Sequence, residues 1–353
     1  MQKTMNETWN CAKAVESIHK DFYKDQGFYI GICMVVLYVI YMIPQVLVML
    51  SLLYSKVLRQ SCHRLMLLIC FLDMVNLSYC LLASGIEAII RNPLCTQNIL
   101  DVSNVINQGL AFWYAYSSAS IALALNRALQ ILNKDIANKL FRGKRLWFWI
   151  VGAFMYAAAL HLSATHPIYF FNRSEGVSTI MVSRGNHLIV NPIHYYNNIV
   201  KCAVISISSV IICFYIRREV SRTSHMTNLT TRMERNVSIQ VVIMTLISDV
   251  AVVSYVITDW NENPVKSWIF YGTIIQFGWA MLHGVNGIVY LTLNRSVRNS
   301  AKQLLNNAVR SNRYATHPSV ILTSNARLSS EATKSRPYQV PTSTRNVSII
   351  TSK

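Results

Sequence analysis

Charged and titratable side chains that interrupt apolar stretches are the residues of this sequence best able to do chemistry. Arg127 follows Asn126 near the end of WYAYSSASIALALNRALQILN, and Asp73 lies inside LLICFLDMVNLSYC. A charge inside an apolar helix is costly unless it is paired, reaches a boundary or faces a polar cavity. Such residues therefore indicate ion pairing or ligand binding. Four others of this kind are Glu87, Lys201, Asp249 and His283.

Arg127 has two interpretations. It can pair within a helical bundle in an off state and meet a partner protein in an on state. It can also be an interfacial side chain that reaches lipid phosphates, and its position alone favours this second interpretation.

Asp73 must be protonated or paired at its depth in the helix. Asn76 follows it by one turn, and Asn286 in a later apolar segment is a plausible facing group. Asp73 then either helps to hold a cation or serves as a neutral, hydrogen-bonded packing group.

A ligand cavity within the membrane is the second kind of site that the sequence indicates. Lys201 and Glu87 have an ordinary alternative, since both can simply reach the outer interface. The candidates for ligand contact are Glu87, Trp113, Lys201, Asp249 and His283.

Catalytic signatures are missing from the sequence. There is no P-loop, no H-E-x-x-H and no G-x-S-x-G, and no cluster of His, Asp or Glu suggests a metal. We therefore expect no enzyme, no cofactor and no metal site.

The composition defines the elements that must position these residues. Of 353 residues, 52% are hydrophobic and 14% are charged, whereas a soluble chain usually carries about 25% charged residues. The net charge of +18 would suggest nucleic acid in a soluble domain. Here loop lysines and arginines facing anionic lipid explain it, so we expect membrane lipid and no nucleic acid as a partner.

Seven apolar segments predict an all-α membrane protein, a bundle of seven transmembrane helices. Gly287 lies in the last of them, where it can act as a pivot or simply allow close packing. The predicted spans are 27–54, 65–90, 105–132, 146–166, 198–216, 237–258 and 268–293, named helices 1 to 7.

Loop charges predict the orientation. The 1–2, 3–4 and 5–6 loops are basic, whereas the other three loops carry few Lys or Arg. Basic loops are cytoplasmic, so the N-terminus is expected outside and the C-terminus inside. Sequons at Asn6 and Asn172 fall on the predicted outside and are glycosylation candidates. Cys11 and Cys95 also fall there and can either form a disulfide or remain free.

The predicted organisation has four parts. Residues 1–26 form an extracellular segment without a signal peptide, and residues 27–294 form the seven-helix domain. Residues 295–312 read as a short amphipathic helix, and residues 313–353 as a disordered cytoplasmic tail that can carry phosphorylation.

A series of short motifs resembles the G-protein-coupled receptors, and more closely the nematode serpentine chemoreceptors of class T. The motifs occur in order between Tyr41 and Arg298. They are YMIP in helix 1, SCHRLM leading to Asp73-Met74 in helix 2, LALNR in helix 3, Asn197-Asn198 in helix 5, and HG followed by YLTLN in helix 7.

The resemblance implies a multi-pass receptor in the plasma membrane of sensory neurons that binds a small molecule and activates a heterotrimeric G protein. Asn126-Arg127-Ala128 looks like a variant of the Asp/Glu-Arg-Tyr signature, which implies a switch role for Arg127. Asn286 to Tyr290 looks like the Asn-Pro-x-x-Tyr signature. Because Asn126 replaces the usual acid, the resemblance also implies higher basal activity or another acidic partner.

Two other classes remain open. A ligand-gated channel of the insect olfactory kind also has seven helices, but its N-terminus lies inside. A secondary transporter is the third possibility, although no internal repeat supports it.

Overall fold

The computed structural model describes residues 24–54, 60–90, 102–163, 167–172, 177–184, 187–222, 239–240, 242–254 and 271–316. Within these residues the chain forms helical segments at all seven predicted positions. Their bounds are Lys24–Tyr54 for helix 1, Ser61–Leu77 with Ser84–Ile90 for helix 2, Val102–Leu132 for helix 3, Arg145–Ser163 for helix 4, Pro192–Arg222 for helix 5, Val242–Ser254 for helix 6 and Tyr271–Leu293 for helix 7.

Five helices of the described chain are long and apolar enough to cross a membrane, namely helices 1, 2, 4, 5 and 7. Their outward faces carry large apolar side chains, and Phe148, for example, is 79% exposed. Polar side chains such as Asp73 and Lys201 are instead fully buried. This distribution suits a bundle whose outer face meets lipid, because lipid carries no penalty for exposed apolar surface.

Helix 3 lies at the centre of the bundle. It packs against helices 2, 4 and 5 over its length, and Trp113, Tyr114 and Ala119 belong to the largest cluster of buried residues. The described residues up to Lys302 belong to one compact unit, and those from Gln303 to Thr316 belong to a second.

Helix 2 contains one irregular turn. Ser78–Ala83 is a π-helical segment between the two regular parts of helix 2, and the Ser84 hydroxyl donates to the Tyr79 carbonyl at 3.2 Å. A π turn adds one residue to the local repeat and so changes which residues face the core beyond it.

Several boundaries differ from the prediction. Helix 2 begins at Ser61 rather than Leu65, and helix 5 extends beyond the predicted span at both ends. The final helix runs over Arg295–Thr316, four residues beyond the predicted end of the amphipathic helix, and the disordered tail stays a prediction. The Asn294 side chain accepts hydrogen bonds from two amides of its first turn and caps it.

Two elements in the loops were not predicted. Lys134–Phe141 forms a connecting helix capped by Asn133, whose side chain accepts from the amides of Asp135 and Ile136 at 3.1 Å. Phe141 stacks on Trp149 of helix 4 with ring centres 4.7 Å apart, which anchors this short helix to the bundle.

The second unpredicted element is a three-stranded antiparallel sheet between helices 4 and 5. Strand β1 is Pro167–Asn172, β2 is Val177–Arg184 and β3 is His187–Val190, in the order β1-β2-β3. The registers pair Pro167 with Val182 and Arg184 with His187. Because β1 contacts helix 3 and β2 contacts helix 7, the sheet lies against the bundle.

Candidate functional site

A buried polar cluster joins helices 2 and 7. Asp73 is 0% exposed, and its two carboxylate oxygens contact His283 Nδ1 at 2.7 Å and Asn286 Nδ2 at 2.9 Å. Asn286 also donates to the Tyr116 hydroxyl of helix 3 at 3.4 Å. Asn286 therefore faces Asp73 as expected, whereas His283, a predicted ligand contact, is bonded to Asp73.

Helix 1 also contributes to this cluster. The Gln45 side chain donates to the His283 carbonyl at 2.5 Å, and the Cys70 thiol donates to Gln45 Oε1 at 3.1 Å. Asn76 does not take part, because its amide donates to the Leu72 carbonyl of its own helix at 2.8 Å. The cluster thus links helices 1, 2, 3 and 7 through side chains that are shielded from solvent.

An aromatic group lies directly beside the polar cluster. The Trp113 ring centre is 4.0 Å from that of Trp279, with the two rings tilted. It is 5.7 Å from that of His283, and this second pair is edge-on. Its indole N–H donates to Asn198 Oδ1 of helix 5 at 3.0 Å. Trp113, a predicted ligand contact, therefore connects helices 3, 5 and 7.

Lys201 points into the bundle. It is 0% exposed, and its ammonium lies 4.1 Å from the Trp113 ring centre and 4.6 Å from that of Tyr116. Among the described residues, Nζ of Lys201 has no hydrogen-bond partner. The alternative that Lys201 reaches the outer interface is therefore wrong.

Asp249 ties helix 6 to helix 5. Its carboxylate accepts from the Ser206 hydroxyl at 2.6 Å and from the Cys202 thiol at 3.2 Å. About one turn away, the hydroxyls of Ser209 and Thr245 make a second link between the same helices at 2.6 Å. Both links are between side chains, so the two helices share polar contacts along one face.

A cavity of about 70 Å³ opens between helices 2, 3, 5, 6 and 7. Of the four predicted ligand contacts whose side chains are described, only Lys201 lines it. The cavity extends from Lys201 and Asn286 to Arg127 and Tyr290, and its remaining lining residues are Ile69, Tyr116, Ser120, Leu123, Ala124, Ile205, Gln240, Met244, Thr245 and Ser248.

Arg127 lies at the end of this cavity nearest the connecting helix. Its guanidinium donates to the Met66 sulfur at 3.4 Å, and no carboxylate of the described residues is paired with it. Asn126 is fully buried and donates to the Ser61 hydroxyl at 3.3 Å. Among the described residues, therefore, no ion pair to a carboxylate holds Arg127 in place.

Gly287 and Tyr290 occupy the same end of helix 7. A Cβ atom at Gly287 would lie 3.0 Å from the Gln45 amide nitrogen and 3.1 Å from Pro44, so this glycine permits close packing on helix 1. Tyr290 is 0% exposed, and its hydroxyl has no partner among the described residues.

Some predicted sites cannot be placed. Cys11, Cys95 and Asn6 lie outside the described residues, as does the side chain of Glu87. Asn172 is the last residue of β1, but its side chain is also outside the described part. The proposed disulfide and both glycosylation sites therefore stay predictions.

Several residues of the site were missed at the sequence level. Tyr116, Gln45 and Trp279 read as ordinary core residues of apolar helices. The available signal was spacing, because Tyr116 follows Trp113 by three residues and must share its helix face. Among the described residues, no group of three or more His, Cys, Asp or Glu could hold a metal ion.

Helices at seven positions with a polar interior and an apolar exterior define a polytopic membrane protein of the seven-helix class. The chain belongs to the family of serpentine-type seven-transmembrane G-protein-coupled chemoreceptors called Srt, which it matches over residues 1–314. No curated protein matches the chain in a sequence comparison. The predicted seven-helix fold and the resemblance to class T chemoreceptors are confirmed, and the protein is a membrane chemoreceptor rather than a member of an enzyme family.

Proposed function

We propose that this chemoreceptor binds a small molecule between helices 3, 5, 6 and 7 and activates a heterotrimeric G protein. The proposal places it in the plasma membrane of a sensory neuron, with its N-terminus outside. The observation that carries the proposal is the continuous cavity from Lys201 in the bundle interior to Arg127 at its end.

Arg127 is well suited to a switch role. Its guanidinium donates to the thioether of Met66, which is a weak acceptor. Moving the guanidinium to a new position therefore costs little free energy. A ligand that prefers a more open arrangement of helices 5, 6 and 7 would favour that arrangement by its differential affinity.

The adjoining loops supply the complementary surface. The connecting helix presents exposed Lys134 and Lys139 next to the end of helix 3. Under the proposed orientation this surface faces the cytoplasm, where basic loops are expected. Arg127 and these lysines would then meet the G protein together.

The test requires cells that express the chain with a panel of G-protein activation reporters, screened with a small-molecule library. An active compound is then applied to Arg127→Ala and Arg127→Lys, with surface delivery measured by antibody on intact cells. We expect Arg127→Ala to reach the surface and lose nucleotide exchange, while Arg127→Lys retains part of it.

Two results would contradict the proposal. Ligand-driven exchange by Arg127→Ala equal to that of the unaltered chain would remove the switch role. A ligand-evoked current or uptake that persists when G proteins are blocked would favour the channel or transporter class instead.

A further inference from the structure

Four buried polar atoms that line the cavity have no hydrogen-bond partner among the described residues. They are Lys201 Nζ, Gln240 Oε1, Ser248 Oγ and the Tyr290 hydroxyl. Buried polar groups are almost always hydrogen-bonded in folded proteins. A group of them around one cavity indicates that something polar occupies it.

The ammonium of Lys201 indicates that the molecule in the cavity carries a negative charge. An ammonium that is 0% exposed needs a counter-ion or several acceptors, and the rings of Trp113 and Tyr116 supply only part of this stabilisation. The carboxylates of Asp73 and Asp249 interact with this ammonium electrostatically, but among the described residues they make no hydrogen bond to it. Asp73 bonds to His283 and Asn286, and Asp249 bonds to Ser206 and Cys202.

The cavity sets the size of the occupant. A water molecule needs about 10–15 Å³ of such space, so about 70 Å³ holds roughly five to seven atoms of that size. Beside the polar atoms, the walls are apolar over Ile69, Leu123, Ala124, Ile205 and Met244. A molecule with one charged end and a short hydrocarbon tail matches this lining.

We propose that the ligand is a short-chain carboxylate whose carboxylate group accepts a hydrogen bond from Nζ of Lys201. The Ser248 hydroxyl is available to donate to the same carboxylate group, and the hydrocarbon tail packs on the apolar wall. This inference rests on the proposed function, because it names the ligand class of the receptor's own cavity.

The test measures binding without a G protein. The full chain is purified in lipid nanodiscs, and its thermal unfolding is followed with sodium butyrate and with butyramide, which has the same shape but no charge. Butyrate should raise the unfolding midpoint in a saturable way, whereas butyramide should not. Acetate, hexanoate and n-butylamine complete the series, and the amine should have no effect.

Two matched variants locate the site. Lys201→Met retains the length and removes the charge, and losing one partner of a buried charge pair should weaken butyrate binding about thirtyfold or more. Lys134→Met removes the same charge from an exposed position and should bind butyrate as the unaltered chain does. If Lys201→Met does not fold, the comparison of butyrate with butyramide on the unaltered chain carries the same test.

The outcomes separate this inference from the proposed function. Lys139→Met, which lies on the surface proposed to meet the G protein and outside the cavity lining, should bind butyrate normally while losing part of the nucleotide exchange. Butyrate binding without any exchange in the unaltered chain would contradict G-protein coupling but leave the carboxylate site. If no carboxylate of two to six carbons shifts the midpoint, or if Lys201→Met responds like the unaltered chain, the cavity holds only water and the inference is wrong.

Discussion

His283 Nδ1 lies 2.7 Å from Oδ1 of Asp73, and both side chains are completely buried. The contact joins helices 2 and 7, and Asn286 occupies the other carboxylate oxygen. Because both side chains are fully buried, loss of either one would leave a polar atom of the other without this hydrogen bond. The stability of the bundle is therefore coupled to the pair rather than to either residue.

A double-mutant cycle tests this coupling. Asp73→Leu and His283→Leu should each lower the free energy of unfolding by about 1–5 kcal/mol, since each strands a buried polar partner. The double variant should cost at least about 1 kcal/mol less than the sum of the two. Unfolding of the purified protein by denaturing detergent measures all three, and strictly additive costs would contradict the coupling.

An isosteric control accompanies the cycle. Asp73→Asn can still accept from Asn286 and can donate to His283 Nδ1. We therefore expect it to retain more stability than Asp73→Leu in the same assay.

The close packing of helix 7 against helix 1 leads to a second prediction. A Cβ atom at Gly284 would overlap the ring of Tyr41, whereas one at Gly278 would meet nothing within 4 Å. Gly284→Ala should therefore destabilise the protein by about 1–3 kcal/mol, and Gly278→Ala should be neutral or stabilising. Thermal unfolding of the two purified variants makes the comparison.

A compensating change sharpens that experiment. In a Tyr41→Ala background the ring is gone, so adding Gly284→Ala should cost little. An equal cost with and without Tyr41 would show that the glycine is needed for another reason.

Asn126 offers a prediction about basal signalling. The chain has Asn126 where the resemblance to rhodopsin-like receptors expects an acid, and Arg127 has no carboxylate partner among the described residues. Asn126→Asp supplies one at nearly the same shape. Because Asn126 is fully buried, desolvation of the new carboxylate offsets much of its attraction to Arg127. A net gain of up to about 1 kcal/mol should lower ligand-independent nucleotide exchange by as much as about fivefold.

The matched control adds the same charge elsewhere. Ser163→Asp places a carboxylate at the exposed end of helix 4 that lies opposite the connecting helix, and it should leave basal exchange unchanged. If both variants reduce exchange equally, net charge rather than pairing with Arg127 is responsible.

The orientation of the chain is tested with two tags. An epitope at Met1 should bind antibody on intact cells, and an epitope after Lys353 should bind only after permeabilisation, because the basic loops are expected in the cytoplasm. The reverse pattern would favour the rival channel class and would remove Arg127 from the side where G proteins act.

Much of the bundle is readable from the chain alone. Seven apolar runs of sufficient length allow few alternatives to seven helices, since lipid requires every backbone polar group to be satisfied within its helix. The facing of Asn286 and Asp73 was also predictable, because two polar groups in neighbouring apolar helices gain most by meeting.

The rotation of each helix about its axis was decided by the tertiary structure. Lys201 could reach outward or inward by sequence, and only packing against Trp113 and Tyr116 turns its ammonium into the bundle. The sequence likewise allowed Gly287 to be a pivot or a packing residue. In the structure its position packs closely against the backbone of Pro44 and Gln45 in helix 1. The sheet formed by β1, β2 and β3 depends on the register between its strands. A chain's local pattern specifies which face of a helix is apolar, whereas the neighbours across that face are set by how all the helices pack together.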